Sequence, residues 1–234
     1  MKAAFFDLDG TLLPMDEKKF VNGYFGLLIK RLISKGFPIE KDSFVKAIWY
    51  GTDAMRKNDG SKTCAQAYWD AFMTAYPTLK KEEIKPAFEE FYGTDFKLSD
   101  QFCDEPHKNL QGIIDAVRKK VDYIVLAGNP MFPTCGMITR LEIAGVKPES
   151  FDLIPDYEDM HYAKPNKLYL QELMDKFNLN PEDVIYFGNS EKEDGRPAKE
   201  LGIKFYLTGN IVKEEGSDNS FPSIDFQDIP TLFN

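Results

Sequence analysis

Four short runs of apolar residues, each ending on Asp, Gly or Thr, constrain this 234-residue chain most tightly. They are Lys2–Phe6 before Asp7, Tyr123–Ala127 before Gly128, Val184–Phe187 before Gly188, and Ile203–Leu207 before Thr208. Phe151–Ile154 is a fifth, weaker run. A strand with one wet face alternates apolar and polar residues. A continuous apolar run belongs to a strand covered on both faces, as in a parallel sheet. Amphipathic stretches separate the later runs: Leu110–Lys119, with Leu110, Ile113, Ile114 and Val117 on one face, then Pro133–Ala144 and Asn166–Phe177. Strands alternating with helices predict an α/β fold with a doubly wound parallel sheet, whose reactive groups gather at the carboxyl ends of the strands.

The stretch from 16 to 105 breaks this rhythm. It has no buried-strand run, and its apolar residues recur at helical spacing. Phe20, Tyr24, Leu27, Leu28 and Leu32 predict one helix. Phe44, Ala47, Ile48 and Met55 predict a second, Cys64 to Ala75 a third, and Ile84, Phe88, Phe91 and Tyr92 a fourth containing Pro86. The expectation is an all-helical unit of residues 16–105 inserted into an α/β core of residues 1–15 and 106–234. The aromatic stripes of these helices read as the inward face of a bundle. Asn210–Ser223 is polar and acidic and reads as a loop.

Lys and Arg total 29 against 38 Asp and Glu, a net charge of −9. That balance opposes nucleic acid or a membrane surface as partner, because both require a basic face. No run approaches the roughly 18 apolar residues of a membrane span. Three cysteines without a CxxC pair oppose a disulfide framework, so a cytoplasmic location is expected. Two histidines exclude a multi-histidine metal site. Chemistry must rest on carboxylates, lysine and hydroxyls.

The first strand runs directly into Asp7-Leu8-Asp9-Gly10-Thr11. Side chains two apart on a strand share a face. Two charges ~4 Å apart repel by about 4 kcal/mol at an effective dielectric near 20. A cation, a basic side chain or a raised pKa must answer that repulsion. Phe5-Phe6-Asp7-Leu8-Asp9-Gly10-Thr11-Leu12-Leu13 resembles the first motif of the haloacid-dehalogenase-like hydrolases, most of which are magnesium-dependent phosphotransferases with a Rossmann-like core. Three later segments extend the resemblance to about Leu207. Ile124-Val125-Leu126-Ala127-Gly128-Asn129-Pro130 resembles the second motif, with Gly128 where the family carries a hydroxyl. Lys164 before Pro165 resembles the third. Val184–Asp194 resembles the fourth, with Asn189 at the first acid position and Asp194 retained.

The resemblance implies a phosphomonoester hydrolase acting on a small phosphorylated metabolite through an aspartyl-phosphate, with the helical insertion as its cap. Asp7 would be the nucleophile, Asp9 the acid–base and Lys164 the neutralising cation. Thr11, Gly128 and Asn129, beside Lys164, would hold the phosphoryl oxygens. Asp7, Asp9 (through its backbone carbonyl), Asp194 and Asn189 would hold magnesium. A monomer or weak homodimer is expected. Within the same fold, a dehalogenase lacks the second acid and is opposed by Asp9. The departures at Gly128 and Asn189 keep a rival open, a catalytically weak or inactive protein that binds phosphate or metal on this scaffold.

Overall fold

A computed structural model describes residues 1–212 and 220–233. Four parallel strands, β1 (Ala3–Phe6), β2 (Tyr123–Leu126), β3 (Val184–Ser190) and β4 (Lys204–Val212), form one sheet in the order β2-β1-β3-β4. Phe5 aligns with Val125 on one side and Tyr186 on the other. Every residue of β1 is buried, as a continuous apolar run in a covered parallel sheet requires. From β1 the chain goes to one neighbour for β2 and to the other for β3. The order therefore reverses between β1 and β3, the position where open α/β sheets place their ligands. The fold is the expected α/β class. The fifth apolar run supplies only a single bridge, Leu153 beside Val125.

Between β1 and β2 the chain forms α1 (Glu17–Ser34), α2 (Lys41–Arg56), α3 (Cys64–Ala75) and α4 (Lys81–Gly93), then a 3-10 segment, Asp95–Phe102. Each α-helix buries the apolar stripe that its sequence shows. Thr63 and Gln66 close a capping box at the start of α3. The chain enters and leaves this helical segment side by side, through a Met15–Cys103 bridge and an Asp104 N–H bond to Pro14 O of 2.9 Å. Backbone bonds from Cys64 to Met160 and from Ala65 to Tyr157, both 2.7 Å, tie α3 back to the core.

The core helices are α5 (Leu110–Arg118), which precedes β2, α6 (Thr134–Ile143), α7 (Lys167–Asp175) and α8 (Arg196–Leu201). α7 begins one residue later than predicted because Asn166 caps it, accepting from Leu168 N. β4 continues through Val212, so the start of the expected loop at 210 is strand, and 213–219 lie outside the described residues. The unassigned C-terminal segment is a 3-10 helix, Phe226–Leu232, packed on α5. Among the described residues no helix is long and apolar enough to cross a membrane.

Candidate active site

The site begins where β1 ends. Asp7 N–H still donates to Phe187 O at 2.9 Å, so the backbone there is fixed by the sheet. The chain then turns. Gly10 adopts φ +76°, and a Cβ there would run into the Asn189 amide. That left-handed conformation and close approach suit glycine alone. The turn brings Thr11 back beneath Asp7, where its hydroxyl donates to Asp7 Oδ2 at 2.6 Å.

Lys164 arrives from the far side of the sequence. Its Nζ lies 2.6 Å from Asp7 Oδ1 and 2.6 Å from Asp194 Oδ1, and all three side chains are buried. Asn129 Oδ1 accepts from Lys164 N at 3.2 Å, which ties the end of β2 to this lysine. Asp194 is returned to the strand ends by a π-helical turn, Glu191–Gly195. Its Oδ1 also accepts from Tyr186 Oη at 2.5 Å and its Oδ2 from Ser190 N at 3.1 Å. This fold-back needs Gly188, because a Cβ there would sit 2.5 Å from Asp194 Oδ2. Asn189 donates to Asn210 O at 3.0 Å, which leaves its amide oxygen as its acceptor group.

The electrostatics follow from burial. One ammonium faces two buried carboxylates. Burial pushes the Asp7 carboxyl up to about 7; Lys164 opposes that rise and Asp194 adds to it. Burial alone would lower the Lys164 pKa, but Asp194 and Asp7 outweigh it and hold the ammonium above its ordinary value. The buried trio thus carries an excess of one negative charge.

Asp9 stands apart from the Asp7–Lys164–Asp194 trio. Its Oδ2 pairs with Arg140 Nη1. Among the described residues no three Asp, Glu, His or Cys stand together as a metal-binding group. Each acid of the first motif therefore has its own basic answer, Lys164 for Asp7 and Arg140 for Asp9. Arg140 is 1% exposed, and its guanidinium carbon lies 3.9 Å above the Phe132 ring. Asp9 Oδ1 is buried with no partner among the described residues.

Arg140 is the residue that sequence reading missed. It stands with Met137 and Leu141 on the buried face of α6, and a cation at such spacing demands an acid partner. Gly128 sits where expected, but it is a crowded position. A Cβ there would be 2.9 Å from Met137 Cε and 3.1 Å from Leu8 Cβ, and Tyr169 Oη donates to its carbonyl at 2.6 Å. The two histidines play structural parts. His107 Nε2 bonds Thr11 O at 3.0 Å, and His161 Nδ1 bonds Glu172 at 2.8 Å.

A cavity of about 330 Å³ opens above these groups, between the helical segment and the strand ends. Asp7, Asp9, Asn129, Lys164, Asn189 and Asp194 line its floor. Arg56 of α2 reaches Glu193 on the π-helical turn at 2.6 Å, so the helical segment touches the loop that carries Asp194.

The sequence model for haloacid dehalogenase-like hydrolases matches residues 1–202. The chain belongs to this hydrolase family. A phosphoglycolate phosphatase of Photorhabdus laumondii is 23% identical over 193 residues, covering 82% of this chain and 74% of the relative. A 2-haloacid dehalogenase of Pseudomonas syringae superposes with a TM-score of 0.64 at 14% identity, covering 99% and 97% of the two chains. The magnesium-bound hydrolase YfnB of Bacillus subtilis superposes with a TM-score of 0.55 at 14% identity, covering 100% and 98%. At such identities the structural likenesses show the fold of the family, not its chemistry.

Proposed function

We propose that this hydrolase is a magnesium-dependent phosphomonoesterase that works through an aspartyl-phosphate on Asp7, with residues 16–105 acting as its cap. The observation that carries the reading is the buried Asp7–Lys164–Asp194 trio beneath the cavity. The phosphatase relative supports the reaction class.

The residues fit magnesium by the chemistry of their donors. Asp7 and Asp194 offer carboxylate oxygens, and Asn189 and the Asp9 carbonyl offer neutral ones. All are hard oxygen ligands. Magnesium is commonly held by one or two carboxylates plus water and substrate phosphate, so a third acid is unnecessary. Bound among these donors, the ion would supply charge neutralisation. Counting Asp7, Asp9 and Asp194 against Lys164 and Arg140, the site alone is net negative and opposes a phosphate dianion.

The chain's own groups divide the work. A carboxylate oxygen of Asp7 attacks phosphorus in line, and the bond from phosphorus to the leaving oxygen breaks. Asp9 protonates that oxygen. It then takes a proton from the water that attacks the aspartyl-phosphate, which frees phosphate and restores Asp7. Thr11 holds the Asp7 carboxylate in orientation. Backbone N–H groups at Gly128 and Asn129, with Lys164, hold the phosphoryl oxygens. Glycine at 128 leaves backbone donors there without a side-chain hydroxyl.

The test is release of p-nitrophenol from its phosphate ester with magnesium and with chelator. Metal-dependent turnover is expected in the native protein and its loss, by at least about 10³-fold, in Asp7→Asn. The phosphoryl-enzyme should be trapped by hydroxylamine in the native protein only. Undiminished turnover in Asp7→Asn removes Asp7 from the role. Phosphate binding without any turnover favours the rival, a binding protein on this scaffold.

A further inference from the structure

The cavity above Asp7 is roofed by aromatic rings, and this narrows the alcohol that it accepts. Tyr24 of α1, Tyr68 and Trp69 of α3, Phe88 and Tyr92 of α4, and Phe132 from the core all line it. The five cap rings are each nine-tenths or more buried. They pack as two groups: Tyr24 lies 5.8 Å and Tyr92 5.7 Å from Phe132, and Trp69 lies 5.2 Å from both Tyr68 and Phe88. Their helical spacing made them a bundle core in the sequence; in space the same faces also wall the chamber.

Charge on those walls is sparse, and the one cation among them is already matched. Glu17 and Arg56 are the charged residues that the helical segment brings to the cavity, and Arg56 pairs with Glu193 at 2.6 Å. Lys164 is held by Asp7 and Asp194. Lys192 stands exposed at the rim. Among the described residues the roof offers no unpaired cation to a carboxylate or a second phosphate. An anion carried there from water would lose its hydration with no free cation in the roof to offset that loss.

Resting on the phosphatase reading, we propose that the substrate is the phosphomonoester of an uncharged alcohol whose body is a single aromatic or comparably sized apolar ring. A volume of about 330 Å³, at the low end for small-ligand pockets, admits a phosphoryl group and a body of that size. The rings supply apolar contact and edge-to-face partners. The hydroxyls of Tyr24, Tyr68 and Tyr92 supply polar handles for a neutral substituent. The P. laumondii relative is a phosphoglycolate phosphatase. The leaving group of phosphoglycolate carries a carboxylate, so the inference separates this chain from that relative.

The test compares kcat/KM for 2-phenylethyl phosphate, phosphoglycolate and choline phosphate with the full-length magnesium-loaded protein. All three release a primary alcohol, so differences report recognition rather than leaving-group strength. A preference of about 100-fold for the phenylethyl ester is expected. Equal rates, or a preference for phosphoglycolate or choline phosphate, overturn the proposal. Turnover of none of the three counts against the phosphatase reading. Calorimetric binding of the same three compounds then still decides the leaving-group question: phosphoglycolate or choline phosphate binding as tightly as the phenylethyl ester overturns it. Thr52→Arg places a guanidinium on the α2 wall of the cavity. It should lower kcat/KM for the phenylethyl ester about tenfold and raise that for phosphoglycolate. An unchanged ratio in a folded variant overturns the claim that the roof's lack of a free cation sets the choice.

Discussion

Asp9 and Arg140 are the side chains whose roles depend most on each other. Arg140 is 1% exposed, whereas the Asp9 side chain is 31% exposed at the cavity. Asp9→Ala strands a buried guanidinium and should cost about 3–5 kcal/mol in urea unfolding. Arg140→Met leaves Asp9 facing the cavity and should cost less. The double variant should recover most of the loss in stability and none in activity, since Arg140 positions Asp9 and does not replace it. Additive losses in this cycle refute the pairing. Asp7 makes a prediction of opposite sign. Its folded pKa is raised, to about 7 against 3.8, so the folded state holds its proton more tightly than the unfolded state does. Its contribution is present below pH 4 and is lost as pH rises through 7. In metal-free protein, native stability relative to Asp7→Asn should therefore fall between pH 4 and 7 and level off above, as read by parallel urea titrations. Magnesium should remove the deficit at pH 8 and do little at pH 4.5. These residues were unequally visible in the sequence. Asp7 directly ends an apolar run, while Lys164 and Asp194 lie in the segments that lead from such runs into the next helix, where topology gathers side chains, so their convergence could be anticipated. Arg140 lies inside a helix, and its meaning came from an apolar face at Met137 and Leu141 that the motif pattern does not include.

The strands were legible for a simple reason: a short run without polar residues has few places to go except a covered sheet. Their ends were less so. β3 extends through Gly188-Asn189-Ser190, and β4 reaches Val212. Gly188, Asn189 and Ser190 are poor strand formers, held extended because Ser190 aligns with Val212 in the sheet. The single-bridge fate of Phe151–Ile154 also depends on a neighbour, not on its own composition. Gly128 shows what such local context does to a substitution. On sequence grounds, restoring the hydroxyl by Gly128→Thr should improve phosphate binding. The structure reverses the expectation, since the new Cβ meets Met137 Cε and Leu8 Cβ. The single substitution should destabilise by roughly 1–3 kcal/mol through overpacking. Adding Met137→Ala frees the nearest contact and should recover part of that loss in thermal unfolding. Only in this double variant is a gain in phosphate affinity expected from the hydroxyl. A stable single variant with improved affinity would mean that β2 and the Leu8 turn shift more easily than their packing suggests.

Two of the contacts that join the helical segment to the core should fail in different ways. The first is the aromatic cluster in which Phe132 meets Tyr24, Tyr92 and Phe96, with Arg140 beneath its ring. It joins the rings of the helical segment, through Phe132 and Arg140, to Asp9. The second is the Arg56–Glu193 ion pair, whose side chains are 33% and 31% exposed. A pair so open to solvent is worth about 0–1 kcal/mol and weakens with salt. Its position gives it a different use: Glu193 adjoins Asp194 on the turn that closes the floor. Arg56→Gln should leave the unfolding midpoint nearly unchanged while raising KM severalfold with little change in kcat, because the residue helps hold the segment over the substrate without touching the reacting atoms. Raising ionic strength should reproduce much of the KM increase in the native protein and add little in the variant. Phe132→Leu should instead lower kcat, since it removes the ring on which Arg140 rests while leaving the ion pair intact. If both variants changed kcat and KM in the same proportion, the seam would act as one undivided unit, and the separate roles assigned to ring cluster and ion pair would be lost.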